Sequence, residues 1–412
     1  MTTTGHEVPL RYDPFDYAID ADPHPIWRRM RDEAPLYRNE EHDFWALSRF
    51  ADVLEASLDW RTFSSAHGTV LDLMSDEPLE DASMIFTDPP EHDELRHLVS
   101  PAFTPRRIAA LEDRAREITQ QLLDSVQESA TDPHLVSFDF VQDFGALLPT
   151  TVISSMLGVP EADQDELRGW TDTMLYRGPD DTTPAETSLE AMAKVGSYIR
   201  DLIDDRRTNP GDDLVSVLLT AELDRPDGGT RRLTKREIHD FTILLFAAGN
   251  ETVARLLGNA AVIFDQYPDQ RARLVADPTL LPNAIEELLR YEAPSPVQGR
   301  VSTREQELHG IRLPAGSRFL LLTGSAGRDE REYDEPDRFD VTRTFSRHVT
   351  FGYGIHFCLG ASLARLESRV ALEEMLRRFP TWEVEADGLE RVHTSNVRGF
   401  HHVPVVASAV TS

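Results

Sequence analysis

One stretch of this chain demands a helix about three times the usual length. Thr234-Lys235-Arg236-Glu237 has the form of a capping box, and the helical pattern runs on to about Gln266, where Tyr267-Pro268 stops it. At 1.5 Å per residue such a helix spans roughly 48 Å. Ile243 to Ala248 is apolar on every side, which predicts a buried middle. Into that middle the sequence places Gly249-Asn250-Glu251-Thr252. A glycine and three polar side chains are unfavourable there. A local rule broken in this way points to function. The ordinary explanation is a polar patch satisfied by neighbouring helices. The functional one is that Thr252 bonds the carbonyl of Ala248 and opens the helix.

The second feature is Phe351-Gly352-Tyr353-Gly354-Ile355-His356-Phe357-Cys358-Leu359-Gly360, which holds the single cysteine of 412 residues. A helix is predicted from Ala361 to Phe379, with Leu359, Leu363, Leu366 and Val370 on one apolar stripe. Cys358 then sits at a helix N-terminus, where the dipole and free N–H groups favour a thiolate. Gly352, Gly354 and Gly360 let a flat ligand come close to the backbone. A lone cysteine is ordinarily a small buried hydrophobe; the glycines, the aromatics and the helix start argue for more.

Three weaker patterns accompany these. His92 and Arg96 are four apart on a helix opened by Asp88-Pro89-Pro90, so they share a face that could hold anions. Glu287 and Arg290 share a face of a helix over 282–291 and read as an ion pair. Pro336-Asp337-Arg338-Phe339 lies farther on.

In order, these strings resemble the motifs of the cytochrome P-450 superfamily: HxxxR, AGxET, ExxR, PxRF and FxxGxxxCxG. The resemblance covers about residues 10 to 406 and implies a mainly α fold with a smaller β-rich region (α+β), with haem b between the long central helix and the helix after the cysteine loop. It implies that Cys358 ligates the iron. His92, Arg96, Arg300 and His356 would hold the propionates, and Ala248, Gly249, Phe351, Gly352 and Gly360 would lie against the macrocycle. Glu251 and Thr252 would relay protons, and Glu287, Arg290 and Arg338 would form a structural triad. Val70, Met74, Ile85, Phe86, Ala247, Val297, Asn396 and Val397 would contact a hydrophobic substrate, each equally credible as ordinary core. The implied reaction uses O2 and two electrons from NAD(P)H, through a ferredoxin and its reductase, to hydroxylate or epoxidise a steroid, terpenoid, fatty acid or polyketide. No flavin, nicotinamide or iron–sulfur pattern is present to supply electrons internally. Arg106, Arg107, Arg114, Arg116, Arg347, His348 and Arg365 are the candidate docking patch for an acidic carrier. Rival readings are a peroxide-driven haem-thiolate enzyme, a haem-thiolate binding or sensing protein, and a haem-free helical scaffold. The intact Glu251-Thr252 pair and the lack of an output module argue against the first two.

A formal net charge of -30 argues against nucleic acid and anionic membranes as partners. No apolar run is long enough to span a bilayer, and residues 1–9 lack signal-peptide character, so a soluble cytoplasmic protein is expected. One cysteine allows no internal disulfide. A single domain over 1–412 is expected, with frayed tails at 1–9 and 407–412. Residues 60–90 read as a long irregular loop, 137–158 as helix, and Ile311–Leu313 with Arg318–Leu322 as a hairpin about Pro314-Ala315-Gly316-Ser317. A helical break is expected at Arg177-Gly178-Pro179-Asp180.

Overall fold

The computed structural model describes residues 9–80, 82–176, 185–224, 229–394 and 396–410. The helices that build the site are α1 (Glu91–Val99), α2 (Glu112–Glu128), α3 (Leu147–Leu157), α4 (Gln164–Leu175), α5 (Glu186–Thr208), α6 (Lys235–Gln266), α7 (Leu281–Tyr291) and α8 (Ala361–Arg378). The break expected at residues 177–180 lies outside the described residues.

The long helix forms as its sequence dictates. Glu237 N–H donates to Thr234 Oγ1 at 3.1 Å, and Thr234 N–H donates to Glu237 Oε2 at 2.7 Å, so the capping box closes in both directions. Every residue from Val253 to Phe264 is buried, with α3, α5, α7 and α8 packed around the helix. Burial is not complete upstream. Leu244 and Ala247 are half-buried and Ala248 is exposed, so one face of α6 remains open beside the polar stretch. This corrects the expectation of a middle buried on all sides. The helix is also continuous through residues 249–252, although Thr252 does bond Ala248.

Among the described residues, the β region is a five-stranded sheet, a three-stranded one and three two-stranded pairs. In the first, β1 (Leu36–Asn39), β2 (Phe44–Leu47) and β3 (Phe63–Ser64) combine with later strands. Strand β4 (Leu135–Asp139) precedes α3, so residues 137–139 are strand where helix was expected. Strands β5 (Gln298–Ser302) and β6 (Arg318–Leu321) complete the order β1-β2-β6-β5-β3, with β6 parallel to β2 and antiparallel to β5. The expected hairpin is not formed. Ile311–Leu313 pairs with Gln306–Leu308, and β6 pairs with β5 and β2, so Pro314–Ser317 joins two different sheets. The smaller sheet is built from β4, β7 (Thr381–Val384) and a strand formed after β8 (Phe400–His402), namely β9 (Pro404–Ser408), in the order β7-β9-β4. Ala407 and Ser408 pair on both sides and are not a frayed tail. The 60–90 segment is irregular apart from β3 and two single 3-10 turns. Among the described residues, no helix is long and apolar enough to cross a membrane.

A buried charge network ties the chain's beginning to its end. Glu292, just after α7, accepts from His24 Nε2 (2.9 Å), Arg328 Nη2 (3.3 Å) and Arg398 Nε (2.6 Å). Arg398 also donates to the backbone carbonyls of Asp20 and Ala21. Burial by itself would raise the Glu292 carboxyl, but Arg398, His24 and Arg328 more than offset it and hold the group well below the glutamate range. A depressed carboxyl stabilises the fold above its unfolded pKa and loses that contribution as pH falls. His24 adds in the same direction, because burial lowers its pKa and the unfolded chain takes up the proton first. Glu292→Ala removes the carboxylate shared by these cations, leaving Arg328 with Asp337 and Arg398 with Asp20 at 3.6 Å, and is expected to cost about 3 kcal/mol at neutral pH. Urea unfolding of wild type and variant should converge as the pH is lowered below about 4.5.

Candidate active site: a basic pocket facing a thiol

Four basic side chains from three parts of the chain come together in one cluster. The α1 helix places His92 and Arg96 one turn apart on its inner face. His92 is 1% exposed; its Nδ1 faces Asp93, and its Nε2 is buried with no partner. Its ring lies 4.5 Å, centroid to centroid, from that of His356, whose Nε2 is likewise buried and unpartnered. Arg96 Nη2 donates to Phe357 O at 2.7 Å, which fastens α1 to the cysteine loop. Arg300 enters from β5, and among the described residues its one side-chain bond is Nη1 to Gly299 O at 2.6 Å.

Apart from Asp93 beside His92, this cluster lacks a counter-charge among the described residues. Among the described residues, Arg96, Arg300 and His356 form no ion pair with any carboxylate. Burial lowers Arg300 to about 10, with only Asp88 opposing, and Asp88 is engaged by Ser64 Oγ and Ser65 N–H. Burial, then Arg300, His92 and Arg96, push His356 down to about 2. Buried cations and orphaned ring nitrogens of this kind are costly unless an anion joins them. The pocket therefore fits a ligand carrying carboxylates, as the haem implied by the sequence does.

The thiol is held directly beside it. Cys358 N–H donates to Phe351 O at 2.8 Å, closing the loop. Gly352 and Gly354 have φ of 69° and 70°, and a Cβ on Gly354 would come within 2.7 Å of Ser57 O. Gly360 precedes the first turn of α8, as expected. Arg365 lies 4.5 Å over the Phe351 ring and makes two bonds to Glu286, which also takes His348. Burial opposes ionisation of Glu286, yet these two partners hold it at about 2. For Cys358, burial pushes the thiol up; the N–H groups of Gly360 and Ala361, with Arg96 and Arg365, pull it down without prevailing. The N–H groups at the helix terminus thus favour a thiolate, as the sequence implies, but burial outweighs them. A cation bound to the sulfur would secure the thiolate.

On the long helix, Thr252 is half-buried on the open side of α6, and its Oγ1 donates to Ala248 O at 3.0 Å. Ala247, Ala248 and the half-buried Gly249 lie one turn away on that helix. Glu251 points elsewhere. It is buried, and its Oε1 accepts from Arg255 Nε at 2.9 Å and Nη2 at 2.6 Å. The sequence reading did not single out Arg255, although its i,i+4 spacing from Glu251 was visible.

Glu287 and Arg290 are wholly buried and joined at 2.6 and 2.8 Å. Their third member is Arg343, not Arg338. Arg343 Nε donates to Glu287 Oε1 at 3.0 Å, whereas the Arg338 side chain is 55% exposed and pairs with Glu335 and Asp340. Only the carbonyl of Arg338 takes part, accepting from Arg343 Nη2 at 2.7 Å.

The candidate substrate contacts divide. Val70, Met74, Ile85 and Phe86 are half-buried in the 60–90 segment. Val297 is core, packed with Tyr12, Trp27, Leu320 and Leu322, and with Asn396 and Val397 it borders a crevice against the N-terminal segment. The candidate docking patch is largely neutralised: Arg114 pairs with Glu117, Arg116 with Glu374, Arg347 with Glu332, and His348 and Arg365 with Glu286. Among the described residues, Arg106 and Arg107 are the patch members left exposed without an ion pair.

Known proteins share this architecture over its whole length. A sequence model described as Cytochrome P450 matches residues 38–277 and 262–400. The Mycobacterium tuberculosis protein called cytochrome P450 123 is 43% identical over 99% of this chain and 100% of its own length. A vitamin D(3) 25-hydroxylase of Pseudonocardia autotrophica is 37% identical, covering 98% of each chain. The solved structure of a mutant of P450 EryK in complex with erythromycin B superposes with a TM-score of 0.85 at 34% identity, over 96% of this chain and 99% of that one. The family model, the relatives and the superposed structure together show that the chain belongs to the cytochrome P450 family of monooxygenases.

Proposed function

We propose that Cys358 ligates the iron of haem b and that His92, Arg96, Arg300 and His356 receive its two propionates. The observation that carries this is the basic cluster beside the only cysteine, in which Arg96, Arg300 and His356 have no carboxylate partner among the described residues and the Nε2 atoms of His92 and His356 are buried and unpartnered. Phe351, Gly352 and Gly360 would lie against one side of the macrocycle, and Ala248 and Gly249 against the other. Bound there, a thiolate-held haem supplies reduction of O2 and insertion of one oxygen atom into an unactivated bond. The chain's own residues do the rest. Thr252 presents a hydroxyl to the oxygen side, Glu251 is its proton source, and the open apolar face at Leu244 and Ala247 orients the substrate.

The substrate class we infer is a hydrophobic small molecule such as a steroid, terpenoid, fatty acid or polyketide, hydroxylated or epoxidised. The names vitamin D(3) and erythromycin B, attached to two relatives, support it. Electrons would come from NAD(P)H through a ferredoxin and its reductase. Arg106 and Arg107 are the docking charges that remain free for an acidic carrier. A soluble, cytoplasmic, single-domain enzyme is consistent with the acidic composition.

The test is a reduced, carbon monoxide difference spectrum, followed by turnover with a ferredoxin, its reductase and NADPH. A long-wavelength Soret band of thiolate type and electron-dependent product are expected; a purified protein without haem would overturn the reading. Arg300→Gln tests the propionate assignment. Losing a charge-assisted bond of about 1.5–3 kcal/mol should speed haem transfer to an excess scavenger about 10- to 100-fold.

A further inference from the structure

Glu251 and Thr252 are neighbours in sequence that face different ways. One residue of α-helix turns the side chain by about 100°, and here that turn divides the pair between two environments. Thr252 looks into the open side of α6, and Glu251 is buried with Arg255 toward β8.

Arg255 is unusually well fixed. Its Nε and Nη2 both go to Glu251 Oε1, and its Nη1 donates to Phe400 O at 2.6 Å. Its stem passes Gly399 so closely that a Cβ there would lie 2.6 Å from Arg255 Cβ and 3.0 Å from Cδ. Strand β8 therefore grips the arginine by a carbonyl and by shape, so a Glu251 carboxylate that rotates toward Thr252 must leave Arg255 behind. The charged surroundings are mixed. From α4, Asp172 is raised to about 6 by burial and by Glu251, with Arg168 and Arg255 opposing. From the strand side, His401 is pushed down by burial, His402 and Arg255, with Glu390 and Glu251 opposing. Gln142 links Arg168 of α4 to the strand side, accepting from Arg168 Nη1 and donating to the His401 backbone carbonyl. A freed Glu251 would thus leave one cation and approach a neutral hydroxyl, which makes the bound orientation the favoured one.

We propose that Arg255 is a positioning residue for proton delivery: anchored on β8, it holds Glu251 away from Thr252 and so sets the fraction of enzyme in which the carboxylate can serve the site. The proposal rests on the monooxygenase reading and names a control on it. If the competent orientation is a minor state, releasing the holder raises its population and the rate with it.

The experiment compares Arg255→Gln, Arg255→Lys and Glu251→Gln as haem-loaded proteins, with electron carriers in excess and turnover expressed per thiolate-ligated haem. Infrared difference spectra first identify the Glu251 carboxylate stretch by its loss in Glu251→Gln. In Arg255→Gln that band should move to the position of a carboxylate without an arginine partner, and turnover should rise about threefold or more, as a withheld minor state is released. Arg255→Lys keeps the charge but gives up the fork on Glu251 Oε1 and the bond to Phe400 O, so band and turnover should both move part of the way toward Arg255→Gln, which keeps the test open where Arg255→Gln does not fold. An unmoved band would show that Arg255 does not hold Glu251. A moved band with unchanged turnover, or with turnover lowered as in Glu251→Gln, would show a purely structural arginine. Any of these overturns the proposal. Absence of electron-driven product in the wild type would instead sink the monooxygenase reading, and the infrared arm would still report on the arginine.

Discussion

Cys358→Ser is expected to retain the fold and lose the chemistry. The substitution exchanges one second-row atom for a smaller first-row one and leaves the loop's closing bond, Cys358 N–H to Phe351 O, untouched. Gly352 and Gly354 keep their left-handed backbone, and Arg96 still reaches Phe357 O. What disappears is the only sulfur that could donate electron density to a metal at this position. The reduced carbon monoxide spectrum should lose its thiolate band. Turnover with electron carriers should fall at least about a thousandfold, corresponding to about 4 kcal/mol of transition-state stabilisation. The serine variant also isolates the basic pocket. Because none of His92, Arg96, Arg300 and His356 is bonded through the sulfur, residual haem binding of altered colour is the expected remainder. A variant with an unchanged thiolate spectrum would remove Cys358 from the site altogether.

The features that sequence alone reveals are those carried by short spacings. His92 with Arg96, and Glu287 with Arg290, sit within one helical turn, so their shared faces follow from periodicity. The cysteine loop is legible because glycines with positive φ leave a compositional trace. Long-range partners leave none. The counter-charges that neutralise Arg116, Arg347 and Arg365 come from Glu374, Glu332 and Glu286, and only the fold brings them together. A basic string in sequence therefore looked like a patch where the protein has ion pairs. Strand pairing failed at Ile311–Leu313 for a related reason: an adjacent segment, Gln306–Leu308, competes for the same edge and needs only a tight turn at His309-Gly310. The division between Glu251 and Thr252 was available in principle, since helix geometry separates neighbours. Which of the two faces the site depends on where β8 packs.

The arginine triad shows the same limit and provides the second large effect. Arg343→Ala is expected to destabilise the protein by about 3–5 kcal/mol and to lower its haem content, because it removes one of two cations from a carboxylate with no exposure to water. Arg343 also satisfies the carbonyls of Asp334, Glu335 and Arg338, so its loss unpairs the segment that leads into the cysteine loop. Arg338→Ala, by contrast, removes a side chain paired only at the surface and should cost within about 1 kcal/mol. Urea unfolding and haem-to-protein ratio, measured on both variants, separate the two assignments. Equal losses would mean that Arg338 supports the core through contacts other than its exposed pairs. A larger loss at Arg338 would restore the PxRF arginine as the third member. The predicted asymmetry follows from geometry: the guanidinium that reaches Glu287 approaches from Arg343, five residues farther along, because Phe339 and Val341 turn into the core and direct the intervening backbone past the carboxylate, where Asp340 N–H donates to Glu287 Oε1 at 3.0 Å.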